Sequence, residues 1–102
     1  MSVAHYPAII EHAPGGFGVF FPDLPGCTSG GDTVEDAARN AKEALQGHVE
    51  LGAEHGDVLP PPTALDGISP DLAIEEAARL LVRVELPERI GFARSGVPAS
   101  KT

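Results

Sequence analysis

Apolar and polar positions alternate at both ends of the chain and fall into a helical stripe in the middle. From Val3 to His12, Tyr6, Ala8 and Ile10 recur every second residue and predict a strand with one buried face. Pro7 has no N–H for a ladder and is expected at an edge or a bulge. Ala13-Pro14-Gly15-Gly16 supplies turn residues, and Phe17 to Phe21 reads as a second strand, with Phe17, Val19 and Phe21 on one side and Phe20 on the other. A hairpin is the simplest pairing. Pro22-Asp23-Leu24-Pro25-Gly26 follows, a stiff and exposed connector on this reading, and Cys27 to Gly30 offers a short third strand.

The periodicity then changes. Val34, Ala37, Ala38, Ala41, Leu45, His48 and Val49 follow the i, i+3, i+4, i+7 rule and predict one long amphipathic helix, with Arg39, Lys42, Glu43 and Glu50 outward. Asp32 with Glu35, or Thr33 with Asp36, would cap its start, and Gly52 or Gly56 would end it. Gly47, costly inside a helix, suggests a close neighbour. Pro60-Pro61-Pro62 reads as a spacer. Ser69-Pro70-Asp71 resembles a helix start, giving a short helix over Asp71 to Ala78. Val82, Val84 and Leu86 alternate with Arg83 and Glu85, so Leu80 to Leu86 is the last strand, stopped by Pro87. The expected fold is α+β, a three- to four-stranded, mostly antiparallel sheet against one long helix. The domain would span residues 1–87, with 88–102 a flexible tail. The sheet face away from the helix, carrying Ile9 and Phe20, would stay open and favour a homodimer or higher homo-oligomer.

Composition narrows the function. The 102 residues fit one domain, 42% hydrophobic, with a formal net charge of −8. Seven Lys and Arg without a run among them do not make a nucleic-acid stripe; an acidic surface suits a basic partner. One cysteine excludes an internal disulfide, and the opening Met-Ser-Val-Ala-His has neither the basic nor the apolar part of a signal peptide, so the expected location is cytoplasmic.

Catalytic groups are thin. Cys27 has no flanking cation to activate it. His48 and His55 stand seven residues apart, where helical zinc ligands stand at i and i+4. Glu11, Asp23 and Asp32 show no apolar pocket to separate their acidities, and Asp32 is better read as a cap. No catalytic residue, metal site or cofactor is expected.

Tyr6-Pro7-Ala8-Ile9-Ile10, Phe17 to Phe21, the turn Pro22-Asp23-Leu24-Pro25-Gly26-Cys27 and the helix start Gly31-Asp32-Thr33 with Glu35, Ala37, Asn40, Ala41, Ala44 and Leu45 together resemble the HicB antitoxins of bacterial toxin–antitoxin pairs. The resemblance covers Tyr6 to about Pro62. It implies a partial ribonuclease-H-like fold without transferable activity. It also implies a small basic HicA-like toxin as partner, an mRNA-cleaving ribonuclease neutralised by occlusion. The working surface would be the hairpin face, the Asp23 to Cys27 turn and the acidic helix flank, with Glu11, Phe20, Asp23 and Leu24 as partner-binding residues. Members of the family often continue into a DNA-binding domain. Val82 to Pro87 resembles the start of a ribbon-helix-helix strand, but the residues after it cannot build two helices, so DNA binding is doubtful. The alternative is an orphan oligomeric scaffold or small-ligand sensor.

Overall fold

The computed structural model describes residues 2–88 and 90–92. Strands β1 (Ser2–Ala13), β2 (Gly16–Phe20) and β3 (Thr28–Gly31) precede helix α1 (Val34–Glu54). A two-residue strand β4 (Val58–Leu59), a 3₁₀ turn (Leu65–Gly67), β5 (Glu76–Leu86) and β6 (Gly91–Phe92) follow. The first three strands and β5 form an antiparallel sheet in the order β3-β2-β1-β5. The α+β architecture expected from the sequence is the one observed.

The hairpin closes through Pro14-Gly15, with Gly15 at φ 79°. Pro7 lies opposite Leu81 of β5, in the half of β1 that has only one neighbour, because pairing with β2 begins at Ile9. A residue without an N–H costs the ladder nothing there. Thr33, not Asp32, caps α1: its side chain accepts the Asp36 N–H at 3.0 Å. Thr33 carries the extended φ/ψ of an N-cap, whereas Asp32 lies one residue too early. At the far end Gly56, at φ 74°, donates to the Ala53 carbonyl, and Asp57 donates to that of Gly52. Those two bonds satisfy the last carbonyls in the Schellman arrangement, and the positive φ explains why glycine stands there. Gly47 has no heavy atom within 4 Å of where a Cβ would sit, so the neighbour expected beside it is absent.

Ala37, Ala41, Leu45 and Val49 of α1 pack on Tyr6, Ala8 and Ile10 of β1, Val19 and Phe21, and Val82, Val84 and Leu86 of β5. The two alanines keep the helix close to the sheet, while Leu45 and Val49 fill the space further along. Asn40 Nδ2 ties α1 to β3 through the Gly30 carbonyl at 2.8 Å.

Two sequence expectations fail after the helix. Residues Asp71 to Ala78 are not helical. The Asp71 carboxylate accepts the Ala73 N–H, and the Asp71 carbonyl accepts that of Ile74, each at 2.9 Å; the chain makes one turn and enters β5 at Glu76. An aspartate that bonds its own backbone two residues on favours a turn over a helix start. The ladder with β1, continuous from Ser2↔Leu86 to Ile10↔Ala78, overrides the helix propensity of Glu75-Glu76-Ala77-Ala78-Arg79. Gly91 and Phe92, placed in the tail by composition, pair in parallel with Val58 and Leu59. The other tail residues, 89 and 93–102, lie outside the described residues.

The face of the sheet away from α1 is not open either. Residues 60–75 return across it. Ile9 is only 3% exposed and Pro7 is fully buried within a single chain.

Candidate partner-binding surface

The returning segment is fastened at two points. Asp23, in the turn after β2, accepts the Thr63 N–H and the Thr63 hydroxyl, both at 2.7 Å. Tyr6 adds a bond from its hydroxyl to the Pro60 carbonyl. Burial, with the Asp23 charge nearby as a second cause, raises the Tyr6 pKa far above its ordinary value.

The second fastening is Arg79 of β5. Its Nε and Nη2 form a fork on the Glu76 carboxylate at 2.7 and 2.9 Å, and its Nη1 donates to the carbonyls of Leu65 and Ile68, both at 2.9 Å. The forked bond holds Glu76 below the usual carboxylate range and raises Arg79.

Between these fastenings lies a hollow of about 170 Å³. Ile9, Phe20, Pro22, Ile68 and Ile74 give it an apolar floor and walls, and Asp71, Glu76 and Arg79 stand at its rim. Glu11 stands opposite the rim residue Glu76 in the β1–β5 register. Arg79 is the basic residue at this rim and is already engaged by Glu76 and two carbonyls. With Asp71 and Glu76 at the rim and Glu11 opposite Glu76, carboxylates outnumber that arginine. Leu72 projects nearby, fully exposed.

The four residues expected to bind a partner are therefore not equivalent. Glu11 and Phe20 lie on the hairpin face, both partly exposed. Asp23 is engaged with Thr63. Leu24 is 4% exposed and belongs to the core, so the connector is not the uniformly exposed segment its prolines suggest. The Leu24 N–H reaches the Phe21 carbonyl at 2.9 Å and the Cys27 N–H reaches the Leu24 carbonyl at 3.0 Å, which turns the leucine inward. Ile68, Leu72 and Ile74 escape a sequence reading. Their sign was apolar residues persisting through a Pro- and Gly-containing stretch.

Other reactive groups serve structure. Cys27 is buried, its Sγ 3.8 Å from the Ala44 carbonyl, and burial pushes its thiol up to about 11, so it is protonated near neutrality. His12 packs against Phe17 with its ring tilted by 46° and centroids 5.2 Å apart. His48 is half-buried, and His5 and His55 are exposed. Among the described residues no three His, Cys, Asp or Glu side chains are grouped to hold a metal ion. No helix among them is long and apolar enough to cross a membrane.

The profile describing the HicB-like antitoxin of bacterial toxin–antitoxin systems matches residues 6–91, from β1 through the start of β6. The chain belongs to the HicB-like antitoxin family. Antitoxin HicB 2 of Photorhabdus laumondii is 32% identical over 77 residues, which cover 76% of this chain and 55% of that protein. An uncharacterised 14.9-kDa protein of Haemophilus phage HP1 is 47% identical over 55 residues, covering 54% of this chain and 41% of its own length. The chain thus spans about half the length of these curated relatives. Among solved structures, the N-terminal domain of the Burkholderia pseudomallei antitoxin HicB superposes with a TM-score of 0.69 at 32% identity, over 81% of this chain and all of that domain. A chain of a HicA3–HicB3 toxin–antitoxin complex superposes at 0.63 with 34% identity, over 82% of this chain and 99% of that one. The match extends past Pro62, where the motif resemblance ends, because β5 completes the sheet on which the HicB-like hairpin and turn are built.

Proposed function

We propose that this HicB-like chain is an antitoxin module that neutralises a small, basic, HicA-like mRNA-cleaving ribonuclease by covering it, with no catalysis of its own and in the cytoplasm. The observation that carries this reading is the apolar hollow of Ile9, Phe20, Pro22, Ile68 and Ile74 rimmed by Asp71 and Glu76, with Glu11 opposite Glu76 in the β1–β5 register. Apolar floors that exclude water give an interface its affinity, and a carboxylate rim selects and steers a cationic partner. The similarity to a chain of a HicA3–HicB3 complex supports a toxin as that partner.

In this reading Glu11 and Phe20 touch the toxin. Asp23 and Leu24 act from behind, Asp23 by fastening Thr63 and Leu24 by seating the turn in the core. Titration calorimetry against the cognate toxin tests the map. Phe20→Ala is expected to weaken binding by about 2 kcal/mol, as for a central apolar contact. Glu11→Lys is expected to slow association and reduce its salt dependence. Unchanged affinity and kinetics in both variants would move the interface elsewhere.

A further inference from the structure

The hollow between the two fastenings is small. At about 170 Å³ it has room for one side chain; a cavity of about 150 Å³ takes a single benzene-sized group. Pockets for free small molecules run to roughly 300–1,000 Å³. Its floor and walls are apolar, so a charge lowered to the bottom would lose its water without gaining a partner. A side chain that enters is therefore apolar along its length, and any charge it carries ends at the rim.

The two rim carboxylates differ in what they have left to offer. Glu76 is committed, because Arg79 Nε and Nη2 occupy both of its oxygens. Asp71 is not. Its Oδ1 accepts the Ala73 N–H and its carbonyl accepts the Ile74 N–H, each at 2.9 Å, so the carboxylate is held in place by the turn it closes. Among the described residues Oδ2 has no donor and no cation pairs with Asp71. Ser69 lines the same hollow with a hydroxyl. A partner that seals the hollow takes water from the Asp71 carboxylate, and a charge left unmatched there opposes association. On the reading of this chain as a toxin-covering module, we propose that the hollow is a socket for one lysine or arginine side chain of the basic toxin. The aliphatic stem lies against Phe20, Ile68 and Ile74, and the charged head reaches Asp71 Oδ2. Lysine and arginine join a methylene stem to a charge at the tip, the same division that the floor and rim present. A leucine would fill the floor and leave Asp71 uncompensated. A glutamate would meet a like charge.

Titration calorimetry of the full chain against the cognate toxin, at low and high salt, tests the socket, with circular dichroism to check that each variant is folded. Asp71→Asn keeps an oxygen for the Ala73 N–H, so the turn stays, and removes the charge. It should weaken binding roughly tenfold and make it less sensitive to salt. Asp57→Asn removes the same charge from an exposed position that does not line the hollow, and should leave affinity within about twofold. Ile74→Phe crowds the socket from its wall and should also weaken binding by roughly tenfold. The socket is overturned by an Asp71→Asn chain that binds as the wild type does, by an equal loss in Asp57→Asn, or by full affinity in Ile74→Phe. If Phe20→Ala still weakens binding in that event, the socket alone falls and the covering surface stands. A wild-type chain that binds no toxin removes both.

Discussion

Replacing Asp23 with alanine removes the fastening between the turn and the returning segment. Two hydrogen bonds from Thr63 to a carboxylate are lost, each 2.7 Å long. Bonds of this charged kind contribute roughly 1.5–3 kcal/mol apiece. Asp23 and Thr63 are both half-buried, so water re-solvates the freed groups, and a combined cost of about 2–3 kcal/mol is the working figure. In a domain of this length that corresponds to a fall in melting temperature of roughly 10–20 °C. Thr63→Val removes the hydroxyl bond and keeps the amide bond, so about half the effect is expected. Circular dichroism melts of the two single variants and the double variant give the coupling, which should exceed 1 kcal/mol, as roughly expected for residues in contact. Amide exchange at Thr63 to Ile68 should quicken more than exchange in α1. The chain has one tyrosine and no tryptophan, so tyrosinate absorbance reports Tyr6 alone. Its titration midpoint should move down in Asp23→Ala, since a nearby negative charge is removed. An unchanged melt, or additive single effects, would refute the idea that this contact holds the segment in place.

Leu45→Ala empties a fully buried site between helix and sheet and should cost about 2–5 kcal/mol by denaturant titration. Gly47→Ala should stabilise by about 0.5–1 kcal/mol, because the site is helical and open, whereas Gly31→Ala should prevent normal folding. A Cβ at Gly31 would lie 2.6 Å from the Ala37 nitrogen and 2.8 Å from the Asp36 carbonyl carbon, both backbone atoms that cannot move aside. Tyr6 makes stability pH-dependent in alkali. The unfolded chain loses the phenolic proton near 10.0 while the folded chain keeps it higher, so the unfolded state binds fewer protons and stability falls as pH rises past 10.0. Tyr6→Phe should flatten that limb of a stability-versus-pH curve.

The main strands and the long helix were legible because their signals are local and agree. The period of two in β1 and β2, the stripe on α1 and the alternation of Val82, Val84 and Leu86 all state which face meets the core. What the sequence concealed is set by distant contacts. Thr33 and Asp32 are equally good caps on paper, and only the backbone angles at the helix start choose. Glu75 to Arg79 favours a helix in isolation, yet β1 offers a whole ladder of strand pairing. Leu24 sits between two prolines that suggest exposure, and only the geometry of the turn sends it inward. The covering of Ile9 and Phe20 depends on Asp23 meeting Thr63, forty residues apart in sequence, and on Arg79 reaching the carbonyls of Leu65 and Ile68. No periodicity announces contacts of that kind. The surface around Phe20 was therefore half visible: Glu11 and Phe20 could be named, but the apolar wall of Ile68 and Ile74 could not.

The central claim is that this HicB-like chain acts by covering a ribonuclease with an acidic surface centred on an apolar hollow. Titrating the purified chain into its cognate basic toxin while following cleavage of an RNA reporter tests it most directly. The account predicts stoichiometric loss of cleavage, lost together with binding when Phe20→Ala and Glu11→Lys are combined. Full cleavage in the presence of excess wild-type chain, or full inhibition by the combined variant, would contradict it.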